Sequence, residues 1–167
     1  MPSASSAAGA HNTSDYAIGE TGGDVTEVSD ILTEKGRGVL KIDADASVLE
    51  AVERMVEQNV GSLLVTEGDD VAGIVTERDY LRRVAVEGRS EQETSVREIM
   101  SSPLIVVTPH TSIDECMALM THKRIRHLPV VDEGELAGIV SIGDVVKFQS
   151  RKQDYEIQFL HDYIAGR

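Results

Sequence analysis

The chain of 167 residues has a single cysteine, Cys116, and few basic residues. One cysteine cannot form an internal disulfide, and metal sites built from spaced pairs of cysteines are excluded as well. The five histidines show no metal-ligand spacing either, so we expect no metal site. Only 16 Lys and Arg stand against 29 Asp and Glu, a net charge of -13. Nucleic acids and anionic membranes require clustered Lys and Arg, so we expect neither partner.

Long apolar runs and targeting signals are also missing. No apolar stretch approaches the roughly 20 residues that cross a bilayer, so we expect a cytoplasmic protein. Residues 1–26 contain no Lys or Arg and are rich in Ser, Ala, Gly and Thr. This composition argues against a secretory or mitochondrial leader and predicts a disordered tail.

What the sequence does contain is an internal repeat. Residues 71–81 read VAGIVTERDYL and residues 136–146 read LAGIVSIGDVV. The correspondence holds without a gap over residues 46–83 of the first copy. Such registry predicts one structural unit present twice, with residues 27–90 and 91–149 as the repeats and a C-terminal helix in residues 150–167.

Each copy predicts a strand, a helix, two further strands and a second helix. Apolar residues spaced by three and four predict helices after Ser47 and Ser112. Short acidic turns at residues 67–70 and 132–135 predict hairpins, and residues 38–42 and 104–107 predict the first strands. The fold class is therefore α/β (α+β). Each repeat is a small sheet with helices on one face, and the two pack sheet to sheet around an approximate twofold axis.

Both copies have a hydroxyl residue three positions before an aspartate, at the start of the last helix. Thr76 precedes Asp79, and Ser141 precedes Asp144. This pattern is typical of ordinary helix capping. The same groups also suit a ligand with a diol and a phosphate, because helix N–H groups attract phosphate and a carboxylate accepts two hydroxyl hydrogen bonds. The residues alone leave both interpretations open.

The repeated motifs GIVTERDYL and GIVSIGDVV, with RIRHLPVV before the second, resemble tandem cystathionine-beta-synthase (CBS) domains, or a Bateman module. The resemblance covers about residues 28–148, and the chain looks like the small stand-alone CBS-pair proteins of bacteria and plant organelles. It implies a regulatory homodimer without catalysis. The implied ligand is an adenosine compound (AMP, ADP, ATP, NAD(H) or S-adenosylmethionine), and the regulated partner protein is unknown. The alternatives are a structural dimerisation module with empty clefts and an enzyme with unrecognised catalytic residues.

The resemblance further implies two nucleotide sites, with Asp79 and Asp144 holding the ribose diols. The other residues implied in these sites are Thr76 and Ser141 for ribose or phosphate, Arg78, Arg126 and His127 for phosphate, and Ile42, Thr108, Gly61 and Ser62 around the adenine. Because the first copy has Gly61 and Ser62 where the second has Arg126 and His127, we expect unequal sites.

Some of these residues have purely structural interpretations. His127 is also typical of a histidine at a sheet edge, and Lys123, Arg124 and Arg126 of a solvated basic corner, which we favour for Arg124. In the C-terminal helix, Tyr155, Phe159 and Tyr163 recur at intervals of four, which predicts a buried stripe. The stripe is expected to cover either the protein's own flank or a second subunit.

Overall fold

The computed structural model describes residues 26–165, so the tail predicted for residues 1–26 lies outside the described residues except for Thr26. In chain order the elements are α1 (Val28–Lys35), β1 (Lys41–Asp43), α2 (Val48–Glu57), β2 (Ser62–Glu67), β3 (Asp70–Thr76), α3 (Glu77–Tyr80), a π-helical turn (Leu81–Ala85) that continues α3, α4 (Val96–Ile99), α5 (Ile113–Lys123), β4 (His127–Asp132), β5 (Glu135–Ser141) and α6 (Ile142–Ile164).

The two predicted hairpins are confirmed. β2 pairs antiparallel with β3, and β4 pairs antiparallel with β5. Both carry a bulge at the equivalent place, after Val65 in the first hairpin and after Val130 in the second. β1 adds in parallel to β2, whereas the second copy has only a single parallel bridge, between Val107 and Val130. The strand predicted at residues 104–107 is therefore wrong in extent. Leu64 donates its backbone N–H to the Leu40 oxygen in the first copy, whereas Pro129 at the equivalent position of the second has no N–H to donate.

The helices predicted after Ser47 and Ser112 are confirmed, and their caps explain where they begin. Ser47 Oγ accepts a hydrogen bond from the Glu50 backbone N–H at 3.2 Å. Ser112 Oγ accepts one from the Glu115 N–H at 3.2 Å, and the Glu115 carboxylate accepts in return from the Ser112 N–H at 2.9 Å. These contacts satisfy N–H groups that have no partner inside the helix.

Each copy has its own apolar core, and each core is completed by a short helix from the other copy. Helix α1 opens the first copy, yet Val28, Ile31 and Leu32 are buried in the core of the second. Helix α4 opens the second copy, yet Val96 and Ile99 are buried in the core of the first. The two copies therefore exchange their leading helices in space, while the sequence boundaries at residues 90 and 149 stay a prediction.

Two equivalent glycines lie beneath these exchanged segments. A Cβ atom on Gly73 would lie 2.8 Å from the backbone oxygen of Ser101, whereas one on Gly138 would lie 2.7 Å from Cδ2 of Leu32. A leucine methyl group can turn aside more easily than a main-chain carbonyl. We therefore expect Gly73→Ala to lower the free energy of unfolding by about 1–3 kcal/mol, and Gly138→Ala by less. Urea denaturation of both variants tests this, and equal losses would contradict it.

Helix α6 runs unbroken from Ile142 to Ile164, so the last helix of the second copy and the predicted C-terminal helix form one element. Tyr155, Phe159 and Tyr163 are 74%, 71% and 77% exposed. Of the two predicted covers, the protein's own flank is therefore wrong, because all three rings are largely exposed. A second subunit remains the predicted cover. No helix within residues 26–165 is long and apolar enough to span a membrane.

Candidate functional site

A cleft of about 490 Å³ lies where the two copies meet. One wall is formed by the end of β3 and by α3, the other by the turn from α5 into β4, and Leu104 and Ile105 lie between them. Its volume is in the range typical of small-molecule sites, which is about 300–1,000 Å³. Six of the predicted site residues line it: Gly61, Thr76, Arg78, Asp79, Arg126 and His127.

Thr76 fixes the orientation of Asp79 in this cleft. Asp79 Oδ2 accepts hydrogen bonds from the Thr76 backbone N–H at 2.9 Å and from its hydroxyl at 2.8 Å. The Thr76 hydroxyl oxygen accepts in turn from the Asp79 N–H at 3.3 Å, so the predicted cap is present. Asp79 Oδ1 has only a long contact of 3.5 Å with the Ser101 hydroxyl. This oxygen keeps capacity to accept hydrogen bonds from a ligand, so capping and binding are compatible.

The cleft lining is mainly cationic, with six Lys and Arg against the two carboxylates of Glu77 and Asp79. Arg78, Arg82 and Arg83 contribute from one wall, and Lys123, Arg124 and Arg126 from the other. Arg83 donates to the backbone oxygens of Ile99 and Met100 at 2.9 and 3.2 Å, which holds it against α4. Arg124 is exposed, as expected for a solvated residue, but it also lines the cleft, so a solvated corner is an incomplete description of it.

His127 begins β4 and lies against the first copy. Its ring atoms are 3.6 Å from the point where a Cβ on Gly61 would be, so the imidazole lies beside the start of β2 at van der Waals distance. Burial lowers the pKa of His127, with Asp144 acting in the opposite direction. Burial thus favours the neutral ring, which can serve a ligand as a hydrogen-bonding group.

The second predicted site differs because a lysine pairs with one oxygen of its carboxylate. Asp144 Oδ2 accepts from the Ser141 N–H at 2.8 Å, as in the first copy. The same oxygen also accepts from Lys35 Nζ at 2.6 Å, and Lys35 comes from the exchanged helix α1. Burial works to raise the pKa of Asp144, but the hydrogen bonds from Lys35 and Ser141 outweigh it and hold the pKa below its ordinary value.

The remaining predicted residues do not line the cleft at Asp79. Ile42 is 3% exposed and belongs to the first core, so its side chain has no access to a ligand. Ser62 is 9% exposed, and Thr108 donates its N–H to the Thr111 hydroxyl within a turn. Sequence reasoning missed Arg82, Leu104 and Ile105 as lining residues. Arg82 lies one helical turn after Arg78, which is a usable signal for a shared face.

Comparison with known proteins agrees with the repeat. The profile of the CBS domain matches residues 28–86 and 96–151. The CBS domain-containing protein CBSX3, mitochondrial, of Arabidopsis thaliana is 43% identical over 156 residues, which cover 88% of this chain and 76% of that protein. The solved structure of a CBS-domain protein from Burkholderia ambifaria aligns with a TM-score of 0.72 at 50% identity. The alignment covers 73% of this chain and 92% of the Burkholderia chain.

A further solved structure carries adenosine compounds. It is the CBS domain pair of protein MJ0100 in complex with 5'-methylthioadenosine and S-adenosyl-L-methionine. The alignment has a TM-score of 0.66 at 25% identity and covers 77% of this chain and 98% of the MJ0100 chain. The two profile matches, together with these relatives, show that the chain belongs to the CBS-domain family and carries a tandem pair of CBS domains.

Proposed function

We propose that the protein is a regulatory module that binds an adenosine-type ligand in the cleft at Asp79 and signals its occupancy to a partner protein. The observation that carries the proposal is that Asp79 lines the cleft and that its second carboxylate oxygen has almost no internal partner. Helix capping uses only one of the two carboxylate oxygens. The other is available for the hydroxyls of a ribose, and AMP, ADP, ATP, NAD(H) and S-adenosylmethionine all carry that diol.

The rest of the cleft fits the same class of ligand. Leu104, Ile105 and Pro129 offer apolar surface for an adenine ring, and the arginines of both walls suit phosphate groups. The neighbour solved with two adenosine compounds supports the assignment. At Asp144 one carboxylate oxygen is likewise unoccupied by any described residue, but the Lys35 ammonium on the other oxygen offsets the negative charge, so we expect weaker binding there.

We expect regulation without catalysis. The cysteine is buried in the second core, and burial raises the pKa of the Cys116 thiol to about 11, so it is a poor nucleophile. The exposed stripe on α6 favours the second candidate function, a structural module that dimerises through this helix. Homodimer formation and a cytoplasmic location remain predictions.

Ligand binding is expected to stabilise the fold. At a ligand concentration about one hundred times the dissociation constant, the free energy of unfolding should rise by about 2.7 kcal/mol, because only the folded state binds. Thermal unfolding with AMP, ADP, ATP, NAD(H) or S-adenosylmethionine at millimolar concentration measures the effect. An unchanged melting temperature with all five compounds would favour the structural module.

A further inference from the structure

We propose that the cleft at Asp79 selects adenosine polyphosphates over AMP, with the outer phosphates bound by Arg78, Arg82, Lys123, Arg124 and Arg126. This inference rests on the proposed function and narrows its ligand. Its first support is that the cations of the cleft take part in no ion pair with another described residue. Within residues 26–165, the ion pairs occupy Lys35, Arg89, Arg97, His110 and Arg151, and none of the five cleft cations takes part in one.

The concentration of these cations is the unusual feature, because four described cations outside the cleft, Arg37, Lys41, Arg54 and Lys147, also take part in no ion pair. Five of the 16 Lys and Arg converge on one cleft of about 490 Å³, against two carboxylates in its lining, Glu77 and Asp79. Guanidinium groups match phosphate oxygens with paired hydrogen bonds, so this lining suits a ligand that brings several phosphates. A single phosphate would satisfy only part of it.

The internal repeat shows that the fold does not require these cations. Lys123 and Arg124 stand where the first copy has Gln58 and Asn59, and both copies form the same turn. Arg124 adopts a left-handed backbone conformation with φ 55°, as Asn59 does with φ 52°. Asparagine is accommodated more readily than arginine at such a position. The turn would therefore be served better by asparagine, and a role of the Arg124 side chain explains the difference.

The other cleft cations follow the same pattern. Arg126 stands where the first copy has Gly61, and Arg78 stands where the second copy has Gly143. Only at Arg82 does the other copy keep a cation, Lys147. The first copy thus supplies Arg78 and Arg82 after β3, and the second supplies Lys123, Arg124 and Arg126 before β4. All five cations lie in the same cleft. The resulting asymmetry of charge distinguishes the cleft at Asp79 from the predicted site at Asp144.

The test is a calorimetric titration of the full chain with AMP, ADP and ATP in EDTA, so that no divalent cation masks the phosphates. We expect affinity to rise with each phosphate, and ATP to bind about tenfold more tightly than AMP or better. The preference should shrink as salt is added, because exposed charges are screened. Equal affinities would overturn this inference and leave the proposed function standing. Absence of binding by all three nucleotides would overturn this inference, and it would overturn the proposed function as well if NAD(H) and S-adenosylmethionine also fail to bind.

The variant Lys123→Gln/Arg124→Asn introduces the residues that the first copy already tolerates, so it is expected to fold. It should lower the affinity for ATP about tenfold and that for AMP by less than about threefold. The matched control is Lys41→Gln/Arg54→Gln, which removes the same charge from exposed positions outside the cleft. Retention of the full ATP preference by the Lys123/Arg124 variant, or an equal loss in the control, would overturn the assignment.

Discussion

Asp79→Ala is expected to lower the affinity for ATP by tenfold or more. The carboxylate would make charge-assisted hydrogen bonds with the ribose hydroxyls, each worth about 1.5–3 kcal/mol. The same change removes a helix-capping contact with Thr76, which costs the fold only about 0.3–1 kcal/mol. Isothermal titration measures the first effect and thermal unfolding the second. Because the two readouts differ in size, they separate a ligand contact from a cap.

Glu115→Ala is the matched control. Glu115 forms the same reciprocal cap with Ser112 at the start of α5, but it does not line the cleft. Its loss should reduce stability by a comparable amount and leave the affinity for ATP unchanged. Asp144→Ala should also leave the cleft at Asp79 intact, because its carboxylate belongs to the other site. If Asp79→Ala binds ATP like the parent protein, Asp79 is only a helix cap and our placement of the ribose is incorrect.

Leu32→Ala should lower the free energy of unfolding by about 2–5 kcal/mol, although Leu32 lies in a helix of two turns near the start of the described chain. The side chain is 2% exposed and packs in the core of the second copy, where one of its methyl groups lies against Gly138. Truncation to alanine leaves a cavity that the hairpin of β4 and β5 cannot fill. Urea or thermal denaturation gives the magnitude.

Leu81→Ala serves as the control for that experiment. Leu81 is 56% exposed, so the same deletion of atoms should change stability by no more than about 0.5 kcal/mol. A Leu32→Ala variant as stable as Leu81→Ala would show that α1 does not form part of the second core. In that case the exchange of helices described above would be incorrect.

Features that depend on local spacing could be predicted from the sequence. The caps at Ser47 and Ser112 and the two hairpins follow from patterns that span only a few residues. Each pattern occurs in both copies of the repeat, which strengthens the prediction. Thr76 and Asp79 were predicted as a pair because the helix geometry that joins them is fixed by three intervening peptide units. Such patterns identify the chemistry at a position and the face on which it lies.

Long-range partners could not be predicted in this way. An apolar face on α1 indicates burial but does not identify which core buries it, and the sequence order favours the nearer one. Lys35 and Asp144 form an ion pair although they are 109 positions apart, and neither residue carries a signal for the other. The same limit applies to Tyr155 and Tyr163, whose spacing predicts a packed stripe but does not specify the surface that covers it.

Because α1 and α4 are exchanged, the segment that repeats in the sequence differs from the segment that forms one complete core. A fragment ending near residue 90 would carry α1 with no second core to join, and it would lack α4 over its own core. A single copy could complete its core only if its first helix packed on another chain and the equivalent helix of that chain packed on it. Such an arrangement is a domain swap. In the tandem arrangement the helices are exchanged within one polypeptide, so completion of the two cores does not depend on protein concentration.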